Sequence, residues 1–179
     1  DGAPVYVFTS ADEANSTKLT ESYLVDGIPT IVARNELTIV TKPGNPTGIK
    51  TLADLSSAGV ISLCGLDAPC GRFAQQALDG AGAKIAETSV TRGQNVKATL
   101  TAVAEGDAVA GIVYVTDADA AGEKVDAVDI PEAQNVIATY PAGALAASNN
   151  TNVAKAFVAY VASGRGQAVL KEAGFLPPS

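Results

Sequence analysis

Short β-branched runs alternate with alanine-rich stretches along the whole chain, and few folds accommodate that alternation. A strand, a helix and a second strand in one sheet need a crossover that packs the helix on the sheet face, so an α/β architecture is expected. Val5 to Thr9 reads as a buried strand. Ser10-Ala11-Asp12-Glu13 follows as a capping box, the Ser10 hydroxyl taking a backbone N–H while Glu13 reaches back, which predicts a helix to about Leu19. Leu37 to Thr41 is a second strand, stopped by Pro43-Gly44-Asn45-Pro46, and Thr51 to Leu55 a short helix. Val60 to Cys64 is a third strand. After the loop Gly65 to Pro69, the residues Phe73, Ala74, Ala77 and Leu78 have helical spacing within Gly71 to Ala81. Ile85 to Val90 is expected to be extended, Asn95 to Ala104 helical, and Ala108 to Val115 the most apolar strand, with Asp117 capping a short helix that ends near Gly122. A return segment through Val128, Pro131 and Val136 leads to a strand near Ala142 to Ala147. Helices over Asn152 to Ser163 and Gln167 to Ala173 flank a break at Gly164.

A length of 179 residues fits one domain or two small lobes with a real core. The centre is a self-contained run of strand-helix units, while each flank is too small to fold alone. The expected organisation is one lobe over residues 36–136 and a discontinuous lobe from residues 1–35 and 137–179. Two crossings join them, near Ala33 to Glu36 and Glu132 to Ala138, and these are the hinge candidates.

Composition removes whole classes of function. Twelve basic residues against nineteen acidic ones give a net charge of -7, which leaves no cationic face for nucleic acid. The chain has no His, so catalysis by Ser-His-Asp or Cys-His and imidazole zinc sites are excluded. There is no P-loop, no dinucleotide glycine motif and no convergent acid-base pair, so an enzyme on the same plan would have to rely on carboxylate, Lys, Tyr or Cys70. No apolar run approaches the roughly twenty residues of a membrane helix. Asp1-Gly2-Ala3-Pro4 has no signal-peptide pattern, and the absence of any Met implies a chain processed or excised from something longer.

Three junctions follow a strand and open a helix with small residues: Ala68-Pro69-Cys70-Gly71, Arg92-Gly93-Gln94-Asn95-Val96 and Val115-Thr116-Asp117. A helix start carries unpaired N–H groups and a partial positive charge, so it binds anions without a cationic side chain. Ligands also collect at the carboxyl ends of strands in open α/β sheets. The same residues make ordinary βα turns. Tyr114 closes an apolar strand and brings its hydroxyl to that edge, or else sits in the core with its hydroxyl on a carbonyl. Cys64 and Cys70 suit either a short disulfide or two buried thiols, one of them reactive at a helix start.

The order of these motifs resembles the molybdate-binding proteins of bacterial ABC transporters, which have the type II periplasmic-binding-protein fold. The matching pieces are GAPVYVFTSAD at residues 2–12, NELTIVTKPGNP at 35–46, CGLDAPCGRF at 64–73, QNVKATL at 94–100, EGDAVAGIVYVTDA at 105–118 and the ending AFVAYVASGRGQAVLKEAGFLPP. The resemblance implies two α/β lobes and a receptor, not an enzyme, that captures molybdate, with tungstate, for a permease and its ATPase. It implies no cofactor and no side chain bound directly to the metal. The oxyanion would take hydrogen bonds from the backbone N–H of Cys70, the backbone N–H of Val96 and the hydroxyl of Tyr114. An extracytoplasmic place, periplasmic or extracellular, favours a Cys64–Cys70 bridge that pins the loop presenting Cys70. A lipid anchor upstream of this chain would be its link to a membrane. Sulfate, phosphate or another small polar solute is the alternative ligand.

The family pattern also has a strand-helix-strand unit, roughly thirty residues or more, ahead of the Gly-Ala-Pro motif, and two ligand serines within it. This sequence begins at that motif, so lobe 1 is expected to be incomplete and molybdate binding weakened. The serine role does not pass to Ser10, which is explained as a helix cap.

Overall fold

The computed structural model describes residues 4–179. Asp1 to Ala3, the chain start and the opening of the first motif, lie outside the described residues. The strands in chain order are β1 (Val7–Thr9), β2 (Thr30–Asn35), β3 (Leu37–Thr41), β4 (Ile61–Cys64), β5 (Val90–Gly93), β6 (Ala110–Tyr114), β7 (Asp126–Asp129) and β8 (Ala138–Ala144). The α-helices are α1 (Glu13–Glu21), α2 (Pro69–Gly80), α3 (Val96–Ala104), α4 (Val115–Ala121), α5 (Thr151–Ala162) and α6 (Gly164–Glu172). Among the described residues no helix is long and apolar enough to cross a membrane. The chain divides into two units, residues 36–137 in one and residues up to 35 with residues 138–179 in the other.

The uninterrupted unit is built on a five-stranded sheet in the order β5-β4-β6-β3-β7. β4 runs parallel to β5 and to β6, while β3 is antiparallel to both β6 and β7, with Leu37 opposite Tyr114. The carboxyl ends of β4, β5 and β6 therefore share one edge with the start of β3. Every residue of β3, β4 and β6 is buried, which is why these strands are mostly apolar on both faces, with Thr38, Thr41 and Ser62 as buried polar members. Helix α3 lays Val103 on Val40 and Val113, and Ala118 of α4 joins the same cluster. Asn135 holds the start of β3 with both ends of its amide, accepting from the Leu37 N–H at 3.0 Å and donating to the Leu37 carbonyl at 2.8 Å.

The second unit has a three-stranded antiparallel sheet in which β8 lies between β1 and β2. Its core joins Val32, Ala142 and Val158. Gln167 of α6 donates to the Val32 carbonyl at 2.8 Å, and the edge of β2 is closed by paired backbone bonds between Arg34 and Leu176. Tyr140 and Phe175 meet edge to face at 5.5 Å.

Several local expectations are corrected. The cap of α1 is Asp12, which accepts from the Asn15 N–H at 3.0 Å; Ser10 instead donates to Asp12 Oδ1 and orients it. Asp117 is not the cap of α4 but lies in its first turn, with Tyr114 at the cap position. Ile85 to Val90 is not one extended run: a 3-10 turn over Glu87–Ser89 intervenes, and the strand begins at Val90, where it aligns with Ile61. The strand expected near Ala142 to Ala147 starts earlier, at Ala138, and runs through Pro141. Proline has no N–H for the ladder, and β2 absorbs the mismatch with an irregularity between Ile31 and Ala33, opposite Pro141 and Tyr140. Strands β2 and β7 are additions to the expected set.

Candidate anion-binding site

Each of the three parallel strands runs into a helix at the shared edge, so three βα junctions are brought together by the register of one sheet. At the first, Ala68 occupies the cap position of α2 and offers no side-chain acceptor. Pro69 has no N–H, and the N–H groups of Gly71 and Arg72 both reach the Ala68 carbonyl, at 3.1 and 3.2 Å. Cys70 is left as the first-turn donor with neither a side-chain cap nor a helical acceptor among the described residues. Its side chain is buried and joined to Cys64 in a disulfide, with 5.8 Å between the Cα atoms, so neither cysteine is a free thiol.

At the second junction Asn95 caps α3 by accepting from the Ala98 N–H at 2.9 Å, and its carbonyl takes the Thr99 N–H at 3.1 Å. The cap serves the third residue of the helix and leaves the N–H groups of Val96 and Lys97 directed outward from the helix start. At the third, Tyr114 ends β6 and is buried, with 4% of its surface exposed. Asp117, three residues on, accepts the Tyr114 backbone N–H; burial raises its carboxyl above the ordinary range and that hydrogen bond partly offsets the rise.

Cys70, Val96 and Tyr114 thus lie at one edge of one sheet, each at the end of a parallel strand or the start of the helix that follows it. The spacing of the first two junctions is set by backbone contact. A Cβ on Gly71 would collide with the Gly65 carbonyl, and the Gly65 N–H donates to the Gly93 carbonyl at 2.8 Å. A Cβ on Gly93 would stand 2.5 Å from the Thr99 hydroxyl. Sequence reasoning named Gly71 and Gly93 only as small residues of their junctions and passed over Thr99; the pairing of a cap asparagine with a threonine four residues later is the signal that marks the last of them.

Two of the cations near this edge, Arg72 and Arg92, are engaged by neighbouring groups. Arg72 donates to the Asp67 carbonyl at 2.7 Å. Arg92 donates to Glu87 at 2.9 and 2.8 Å and to the Cys64 carbonyl at 3.1 Å, and its hydrogen bond holds the Glu87 carboxyl below its usual range. The backbone N–H groups of Cys70 and Val96 are neutral donors, and Lys97 adds a cation at the same helix start as Val96. No cluster of three metal-ligating side chains occurs among the described residues. An apolar groove of about 700 Å³ in the other unit, lined by Tyr6, Val153 and Phe157 among others, offers hydrophobic contact rather than converging N–H groups.

Residues 1–176 match the family described as bacterial extracellular solute-binding protein. The molybdate-binding protein ModA of Mycobacterium tuberculosis is 35% identical over 178 residues, which cover 99% of this chain and 67% of that relative. Among solved structures, the periplasmic molybdate-binding protein of Azotobacter vinelandii matches with a TM-score of 0.86 at 22% identity, over 99% of this chain and 80% of that one. The sulfate-binding protein SubI of M. tuberculosis matches with a TM-score of 0.81, also at 22% identity, over 99% and 70%. The fold expected from the motifs, α/β of the periplasmic-binding-protein type II class, is the one these structures share. Such proteins bind solutes and are not enzymes. This chain belongs to the family of bacterial extracellular solute-binding proteins.

Proposed function

We propose that this chain captures molybdate, and tungstate with it, for delivery to an ABC permease and its ATPase. The observation that supports the reading is that three βα junctions share one sheet edge, with Cys70 and Val96 at two helix starts and the buried Tyr114 at the end of β6; in this reading the two backbone N–H groups and the Tyr114 hydroxyl are the donors. The mycobacterial relative supports molybdate as the solute, since it is 35% identical across almost the whole of this chain.

The charge balance permits an anion. A surface carboxylate about 10 Å away costs on the order of 0.4 kcal/mol per unit ligand charge in water, and salt screens it further. A hydrogen bond to a charged partner contributes roughly 1.5–3 kcal/mol. A few convergent donors outweigh the net charge of -7, most of which lies on scattered surface carboxylates. Donors without acceptors also favour an oxyanion that carries no proton of its own, because a ligand O–H would face an N–H with nothing to accept it.

Isothermal titration at neutral pH with molybdate, tungstate, sulfate and phosphate tests the reading. Molybdate and tungstate are expected to bind at least about tenfold more tightly than sulfate or phosphate, a difference of about 1.4 kcal/mol. Sulfate or phosphate binding as tightly would assign the site to the alternative ligand, and heat from none of the four anions would overturn the proposal.

A further inference from the structure

We infer that Thr99 is a positioning residue that locks the start of α3 to the disulfide-anchored start of α2, and so sets the Val96 N–H relative to the Cys70 N–H. The inference rests on the reading that these two groups take the oxyanion.

Thr99 is completely buried, in the second turn of α3. Its hydroxyl carries one proton and meets two acceptors, the Asn95 carbonyl at 3.1 Å and Cys64 Sγ at 3.4 Å. The first is the carbonyl of the α3 cap, one residue before Val96. The second is half of the bridge whose other half is the side chain of Cys70. A single hydroxyl thereby links the α3 cap to the bridge that anchors the α2 start. The same side chain rests on Gly93, where a Cβ would lie 2.5 Å from the hydroxyl and 2.8 Å from the Thr99 backbone nitrogen.

The contacts form a closed circuit. Cys70 is tied to Cys64 through the disulfide, Cys64 to Thr99 through the hydroxyl, and Thr99 to the Asn95 carbonyl and the Gly93 backbone. Gly93 then returns through its carbonyl to the Gly65 N–H, next to Cys64 in sequence. Removing one link leaves a helix start free to shift on its strand, and a donor displaced from a rigid oxyanion weakens quickly because hydrogen bonds depend on distance and angle. An apolar side chain of the same shape would fill the space but not hold the sulfur and the carbonyl together.

Thr99→Val and Thr99→Ser separate this from a packing role. Titration of the folded 179-residue protein with molybdate, well below its melting temperature, is expected to show about tenfold weaker binding for Thr99→Val and restoration to within about threefold for Thr99→Ser. In the ligand-free protein, hydrogen exchange of the two bonded amides at the helix starts, Ala98 on the Asn95 side chain and Gly71 on the Ala68 carbonyl, is expected to speed up at least about fivefold in Thr99→Val and to return toward the wild-type rate in Thr99→Ser. Unchanged affinity in Thr99→Val, or a lower melting temperature with both amides exchanging as in the wild type, would overturn the inference. Failure of the wild type to bind molybdate would overturn the proposed ligand instead, and the ligand-free exchange of the two amides would still decide the role of Thr99.

Discussion

The backbone N–H of Tyr114 donates to the carboxylate of Asp117, and burial nevertheless holds that carboxyl above its ordinary range. The folded chain then keeps this proton at pH values where the unfolded chain has lost it. The stability it contributes is complete below the ordinary carboxylate value and is lost as pH rises through the raised one. Asp117→Asn preserves an oxygen for the Tyr114 N–H and removes the charge. Thermal melts from about pH 3 to 7 are expected to show the variant more stable than wild type at the upper end, with the two converging as the pH falls. Glu87 and Asp54, both exposed and both lowered, give the opposite slope, so the difference between variant and wild type is the quantity to read. A variant less stable at neutral pH would reverse the assignment.

The Cys64–Cys70 bridge closes a short loop and both cysteines are buried. On the chain-entropy account such a loop contributes about 2 kcal/mol. Urea unfolding of the Cys64→Ser, Cys70→Ser double variant is expected to show a loss of that size. Thiol-specific labelling of the native wild type should be absent until both denaturant and reductant are present; labelling without reductant would mean free thiols.

Two glycines of α2 should respond in opposite directions to the same change. At Gly71 an added methyl runs into the Gly65 carbonyl and stands 2.9 Å from the Cys64 carbonyl, all rigid backbone. Gly71→Ala should cost about 1–3 kcal/mol, as overpacking does. At Gly80 a Cβ meets nothing within 4 Å, so Gly80→Ala should add about 0.5 kcal/mol through helix propensity alone. Equal responses at the two sites would refute the close approach of α2 to the end of β4.

Ser62 is completely buried in β4, and its hydroxyl has no hydrogen-bond partner among the described residues. A buried hydroxyl with no partner costs stability, whereas a methyl in the same place does not. Ser62→Ala is expected to raise the unfolding free energy by about 1 kcal/mol. A loss of comparable size in chemical denaturation would show that the hydroxyl is satisfied.

Legibility followed the range of the forces at work. Helix α2 was readable from the helical spacing of Phe73, Ala74, Ala77 and Leu78, which acts within a few residues, although it starts at Pro69, a residue expected in the loop. Asn95, expected within α3, is the cap of that helix. The buried strands β3, β4 and β6 announced themselves through short runs dominated by β-branched and apolar residues. Strand β2 did not, since Ala33-Arg34-Asn35 has little apolar pattern and gains its structure from β8, about a hundred residues later. Strand β7 carries aspartate at both ends and only Val128 is even half-buried; its pairing with β3 makes it a strand. The site divides in the same way. Cys70, Val96 and Tyr114 sit where local rules place helix starts and strand ends, but the role of Thr99 depends on a sulfur 35 positions earlier.

The placing of β8 between β1 and β2 also orders events in time. Among the described residues β1 and β2 pair with β8 and not with each other, so neither gains these ladder bonds until residues 138–144 have been made. Residues 36–137 form a single stretch with all of its strands in hand. Domains close as units once their sequence is complete. The uninterrupted unit can therefore complete its sheet before the other one, in which β1 and β2 are joined only when Ala138–Ala144 arrives between them.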